Sequence, residues 1–130
     1  MIDAMSIGHL TLPTQHVERT ASFFEQTLGY RRTPSPGNSP AEAQWLDVGR
    51  RQQLHLIFVE GFTASAFEGE FGRHVAVFHP RADFPALRQR LADAGAELME
   101  AMRETAFERF FFRDPVNGYV FEVVGADLAS

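Results

Sequence analysis

Ile7-Gly8-His9-Leu10-Thr11-Leu12 is answered later in the chain by Gly72-Arg73-His74-Val75-Ala76-Val77. A second pair follows the first. Asp47-Val48-Gly49-Arg50-Arg51-Gln52-Gln53-Leu54-His55-Leu56 is answered by Asp114-Pro115-Val116-Asn117-Gly118-Tyr119-Val120-Phe121-Glu122-Val123. The spacing from Asp47 to His55 equals that from Asp114 to Glu122, 8 residues in each case. His9 and His74 lie 65 residues apart, and His55 and Glu122 lie 67 apart. Residue types that bind metals therefore recur at matching places in two halves, which core packing alone does not explain. With only two copies, the period marks an internal duplication and not a solenoid.

Around these segments the chain reads as two similar modules. Residues 7 to 13 alternate as a strand, with Ile7, His9 and Thr11 on one face and Gly8, Leu10 and Leu12 on the other. Polar residues 14 to 16 lead into a helix from Val17 to Leu28, whose apolar face is Val17, Ala21, Phe24 and Leu28. Gly29 is a natural C-cap. A short strand over 30 to 33 precedes the loop Pro34-Ser35-Pro36-Gly37-Asn38-Ser39-Pro40. Residues 43 to 49 and 53 to 60 read as strands joined by the turn Gly49-Arg50-Arg51-Gln52, with the two arginines in solvent.

The second half repeats the order. A strand over 74 to 78 ends at Pro80, a helix runs from Asp83 to Ala94, and Gly95 closes it. Strands follow near 97 to 100, 109 to 113 and 119 to 124, the last two joined by a turn at Asp114-Pro115-Val116-Asn117-Gly118. The expected fold is α+β: two βαβββ modules forming an open, curved barrel with the helices outside. The modules span 1–60 and 74–130, joined by a linker over 61–73, and make one domain overall.

Composition excludes several classes of function. Hydrophobic residues at 45% and charged residues at 22% suit a globular protein, and 13 Phe against 1 Trp and 2 Tyr point to an aromatic interior. At 130 residues the chain can bury a sizeable core, about two-thirds of its unfolded surface. A net charge of −5 argues against nucleic acid or an anionic membrane as partner. No apolar run reaches the ~18 residues of a membrane span. The acidic start Met1-Ile2-Asp3-Ala4-Met5 lacks the basic region of a secretory signal, so a cytoplasmic location is expected. With 0 cysteines, disulfides and thiolate ligands are excluded, leaving histidine and carboxylate as the strong side-chain ligands.

A single histidine on a strand usually serves a hydrogen-bonded network. Glu122 is different, because it sits amid Val120, Phe121, Val123 and Val124. Burying a carboxylate costs several kcal/mol unless a cation or donor meets it. Strand alternation lets His9, His55, His74 and Glu122 point away from the helices into one cavity. His16 reads as a helix-start residue and His79 as a solvated strand end. Phe110, Phe111 and Phe112 read as a buried strand that can also lend a ring to a substrate pocket. No phosphate loop, Ser-His-Asp pattern or nucleophilic cysteine is present.

These motifs, with Phe23-Phe24-Glu25-Gln26-Thr27-Leu28-Gly29-Tyr30 and Phe111-Phe112-Arg113-Asp114-Pro115 added, resemble the vicinal oxygen chelate superfamily of glyoxalases, bleomycin-resistance proteins and extradiol dioxygenases. The resemblance runs from Ile7 to Val124. It implies a half-barrel around one divalent metal, with family ligand positions falling on His9, His74 and Glu122. The fourth position, often Glu or Gln, is His55 here. A homodimer with two sites is implied as well. The glutathione-binding Arg and Asn of bacterial glyoxalase I are replaced by Pro13 and Val59, which argues against a glutathione hemithioacetal. Fosfomycin-resistance transferases are similar in the first strand, including Thr11. The ending Gly125-Ala126-Asp127-Leu128-Ala129-Ser130, however, lacks the basic residues of a phosphonate pocket.

His9, His74 and Glu122 form a two-histidine, one-carboxylate set that suits Fe(II). With His55 added, Mn, Fe, Co, Ni and Zn are all compatible. The expected function is a divalent-metal-dependent enzyme acting on a small, fairly apolar, oxygen-chelating substrate. It would act as a lyase or isomerase, or as a ring-cleaving dioxygenase, with Glu122 or His55 moving the proton. The alternative is a non-catalytic protein of the bleomycin-resistance type that sequesters a drug or metabolite.

Overall fold

The structure, a computed structural model, describes residues 7–38 and 41–126. The acidic start, Ser39 and Pro40 of the proline-rich loop, and the tail from Asp127 lie outside the described residues. The chain divides into two compact units, Met1–Phe62 and Thr63–Ser130.

The first unit runs β1 (His9–Thr14), α1 (Val17–Thr27), β2 (Arg31–Thr33), β3 (Ala43–Gly49) and β4 (Gln52–Phe58). Its sheet has the order β1-β4-β3-β2, with β1 and β4 parallel and the other neighbours antiparallel. Alternation sends Leu12, Leu46, Leu54 and Leu56 to one face, where all are buried, and α1 packs on β3 and β4. Burying each such leucine is worth roughly 1.5–3 kcal/mol. Thr14 sets the helix entrance: its hydroxyl accepts the His16 N–H at 2.9 Å, and His16 is the N-cap residue. Gly29 takes φ +78 just beyond the helix, the left-handed conformation of a C-terminal stop.

The second unit repeats this as β5 (Val75–Pro80), a 3-10 turn (Arg81–Asp83), α2 (Phe84–Asp93), β6 (Glu97–Glu100), β7 (Arg109–Arg113) and β8 (Val120–Ala126). The order β5-β8-β7-β6 is the first sheet's order over again, with β5 and β8 parallel. Phe110, Phe111 and Phe112 are all buried, so both faces of β7 are covered. The Phe112 and Phe121 rings stack at 5.4 Å, and Phe84 meets Phe110 edge-on at 5.1 Å.

The fold is thus α+β, built of two βαβββ modules as the duplication predicts. The repeated aspartates have a common local role. Asp47 accepts the Gly49 N–H at 2.8 Å, and Asp114 accepts that of Val116 at 2.8 Å, each anchoring the turn before its last strand. Asp114 is nearly inaccessible and also accepts from Asn117 and Tyr119. Burial lifts its carboxyl above the usual range despite these donors.

Residues 63–73, read from the sequence as connecting chain, cluster with the second unit. There Glu68 is buried, holds the Arg73 guanidinium at 2.9 Å and accepts the Val120 N–H at 2.8 Å. His79 differs from its sequence reading. Its side chain is only 13% exposed and its Nε2 lies 2.7 Å from Asp83 Oδ2. The chain turns sharply at 81–83, which brings the strand end back against the helix start.

Candidate metal centre

In the first unit, parallel pairing sets His9 opposite Gln53 and Thr11 opposite His55, while antiparallel pairing sets Trp45 opposite His55. These side chains share the face away from the buried leucines. Three rings stack there in sequence. His55 lies 3.8 Å from His9 at 13°, and 3.9 Å from Trp45 at 6°. The His55 Nε2–H donates to Gln53 Oε1 at 2.8 Å, leaving Nδ1 as the acceptor nitrogen of the neutral ring. Burial, and then the neighbouring His9, hold His55 below the usual histidine range. A cavity of about 200 Å³ opens beside the stack, lined by Trp45, His55, Thr11, Ile57 and the loop residues Pro36 and Asn38.

In the second unit, His74 precedes β5 by one residue, and Glu122 pairs with Ala76 on one side and Phe111 on the other. The His74 Nδ1–H donates to the Gly69 carbonyl at 3.0 Å. A neutral His74 ring therefore turns its Nε2 lone pair toward Glu122 Oε1, 3.3 Å away. Two acceptors face each other, an arrangement satisfied by a second ring proton or by a cation between them. The ring is further fixed edge-on to Phe111 at 5.3 Å.

The four predicted site residues thus fall into two pairs, His9 with His55 and His74 with Glu122. Neither unit by itself gathers three candidate ligands among the described residues. The His74–Glu122 pair fits a divalent ion. Ligands about 2.1 Å from an ion and 3.3 Å apart subtend roughly 100°, between octahedral and tetrahedral values. Its histidine is also oriented by a carbonyl on the opposite nitrogen, as metal-bound imidazoles usually are. The stacked pair does not fit joint ligation as it stands. Nearly parallel rings 3.8 Å apart keep their lone pairs in two separate, nearly parallel planes, which do not meet at one ion. Either ring could serve alone, and His55 has its Nε2–H committed to Gln53.

One site residue was not anticipated. Arg109 is buried and donates from Nη1 to Glu122 Oε2 at 2.9 Å, supplying the partner that a buried carboxylate needs. Its signal was present in the sequence. Counting back from the Asp114 turn pairs Phe111 with Glu122, and strand alternation then puts Arg109 on the same face. His16 and His79 stand at their helix starts and join neither pair.

The family model described as the Glyoxalase/Bleomycin resistance protein/Dioxygenase superfamily matches residues 6–123. The chain belongs to that superfamily. Among solved structures it is similar to the fosfomycin resistance protein FosX from Mesorhizobium loti (18% identity, 99% of this chain and 96% of that one, TM-score 0.70). It is also similar to a mutant of FosX from Listeria monocytogenes complexed with Mn(II) and 1S,2S-dihydroxypropylphosphonic acid (16% identity, 99% and 96%, TM-score 0.75). At such identities the likeness is one of fold. No curated protein matches the chain. No helix among the described residues is long and apolar enough to cross a membrane.

Proposed function

We propose that this chain is a divalent-metal-dependent enzyme, a homodimer of the cytoplasm, acting on a small substrate that chelates through adjacent oxygens. The observation that carries this reading is the His74–Glu122 contact, where His74 Nε2 and Glu122 Oε1 lie 3.3 Å apart with Nδ1 tied to the Gly69 carbonyl, a spacing and orientation that suit two ligands of one ion. His9, His74 and Glu122 would hold the ion, the set that matches the family's ligand positions. The bound metal would supply Lewis-acid stabilisation of negative charge developing on the substrate oxygens.

The remaining roles belong to this chain's own side chains. His55, with Nε2–H committed to Gln53, keeps Nδ1 as a proton acceptor and serves as the base. Its stack on His9 and Trp45 fixes the ring plane. The cavity beside Trp45 would take the apolar part of the substrate. Lyase or isomerase chemistry and ring-cleaving dioxygenation both remain compatible with this arrangement.

A second reading, sequestration of a drug or metabolite without catalysis, draws on the Arg109–Glu122 pair, which neutralises the carboxylate without an ion. Elemental analysis of protein purified without chelator separates the two. We expect stoichiometric transition metal in the wild type and, in His74→Ala, an affinity lower on the order of a hundredfold, which leaves the site mostly empty. Mn(II)- or Fe(II)-loaded protein would then be screened on catechols for oxygen uptake, and on fosfomycin and 2-oxoaldehydes for turnover. Metal-free wild type that binds an aromatic ligand tightly, with added metal changing nothing, would favour the second reading.

A further inference from the structure

The two oxygens of Glu122 have different partners. Oε1 lies 3.3 Å from His74 Nε2, and Oε2 accepts from Arg109 Nη1 at 2.9 Å. The guanidinium is itself held on every side. Nη2 donates to Glu70 Oε2 at 3.1 Å and to the Arg103 carbonyl, and Nε donates to Thr105 Oγ1 at 3.3 Å. Glu70 is tied in turn to the chain before β7, accepting the Met102 N–H at 2.7 Å and the Arg103 N–H at 3.0 Å. Arg109 Cζ sits 5.4 Å from the centre of the Phe111 ring, the same ring that His74 meets edge-on. With 3% of its side chain exposed, Arg109 has no room to swing away.

We propose that Arg109 is a positioning residue that makes Glu122 a one-oxygen ligand. This rests on the metal-centre reading above. A carboxylate can bind an ion through one oxygen or both. Here Arg109 Nη1 donates to Oε2 and holds it on the side away from His74, so Oε1 is the oxygen offered to an ion. Two consequences follow. One coordination position that a chelating carboxylate would fill is left for a substrate oxygen. The neighbouring positive charge also weakens the carboxylate as a donor, so the ion is held less tightly than by the same ligands alone. Lysine would keep the charge but lose the planar fork that spans Glu122 and Glu70.

Cobalt(II) is the probe, because the intensity of its visible absorption falls as coordination number rises. In Arg109→Met, we expect Co(II) affinity to rise on the order of tenfold, since the Glu122 carboxylate regains the basicity that a neighbouring guanidinium takes from it. The visible bands should weaken as Glu122 binds through both oxygens. Arg109→Lys should return the affinity to within a few-fold of wild type. Should Arg109→Met not fold, Glu70→Gln loosens the anchor while keeping the fork, and a smaller change in the same direction is expected. Wild-type spectrum and affinity in both Arg109→Met and Glu70→Gln would overturn the positioning role while leaving the metal-centre reading intact. Failure of wild type to take up Co(II) at all would overturn both.

Discussion

Asp83 illustrates how much a single side chain can be asked to do where a strand turns into a helix. As the N-cap residue of α2 it makes no capping hydrogen bond. Its Oδ2 instead receives Arg90 Nη2 and His79 Nε2, each at 2.7 Å. Arg90 first, and then His79, lower its carboxyl from 3.8 to about 2. A carboxyl depressed in the folded state stabilises the fold above its unfolded pKa, and that contribution is lost as pH falls from 3.8 through about 2. The side chain is 39% exposed, so solvent screening keeps the effect below about 1 kcal/mol. Urea midpoints of wild type and Asp83→Asn should differ modestly at neutral pH and converge near pH 2. A difference that persists unchanged into acid would exclude the ion pairs as its source. His79 resisted reading from sequence because its partner lies across a 3-10 turn, where neither strand nor helix spacing applies. Arg109 is legible in principle, but only through the register of β7 against β8.

The hairpin of β3 and β4 carries a visible flaw. Arg50 and Arg51 take φ values of +51 and +66, left-handed conformations that suit a two-residue turn with positive φ at both positions. Asparagine and glycine are favoured there, and a left-handed side-chain residue costs roughly 1–2 kcal/mol. Arg50→Asn combined with Arg51→Gly should therefore stabilise the protein by about 1 kcal/mol, seen as a melting temperature a few degrees higher. An unchanged or lower melting temperature would mean that the arginines make compensating contacts. The position of this turn was legible from the strands that flank it. Its type was not, since two arginines carry no left-handed signal and the conformation is imposed by the pairing of Gly49 with Gln52. The turn at Asp114 was easier, because Asp, Pro, Asn and Gly each favour the conformations it needs.

For the molecule entire, the duplication was the readable part. Alternating strands, one apolar helical face per module and matching turn aspartates agree with one another, and the two sheets repeat the same strand order. The chemistry of the site was less readable. Periodicity places a side chain on a face but says nothing of whether a ring will stack, as His55 does, or ligate. A metal bound as proposed would stabilise the native state. An ion present at a hundredfold excess over its dissociation constant stabilises the native state by about 2.7 kcal/mol. Saturating Mn(II) should accordingly raise the melting temperature by several degrees, and EDTA should reverse it. His9→Ala and His74→Ala, in different modules, should each abolish the rise. If one of them leaves it intact, the ion is held without that histidine.

The stack of His9, His55 and Trp45 gives the molecule a native spectroscopic reporter. Trp45 is the only tryptophan in the chain, and its ring lies 3.9 Å from an imidazole. Indole emission is quenched by a nearby imidazolium and responds to what displaces or orders its neighbours. Ligand entry into the adjoining cavity, or a proton arriving on His55, can thus be followed in unlabelled protein with no competing tryptophan signal.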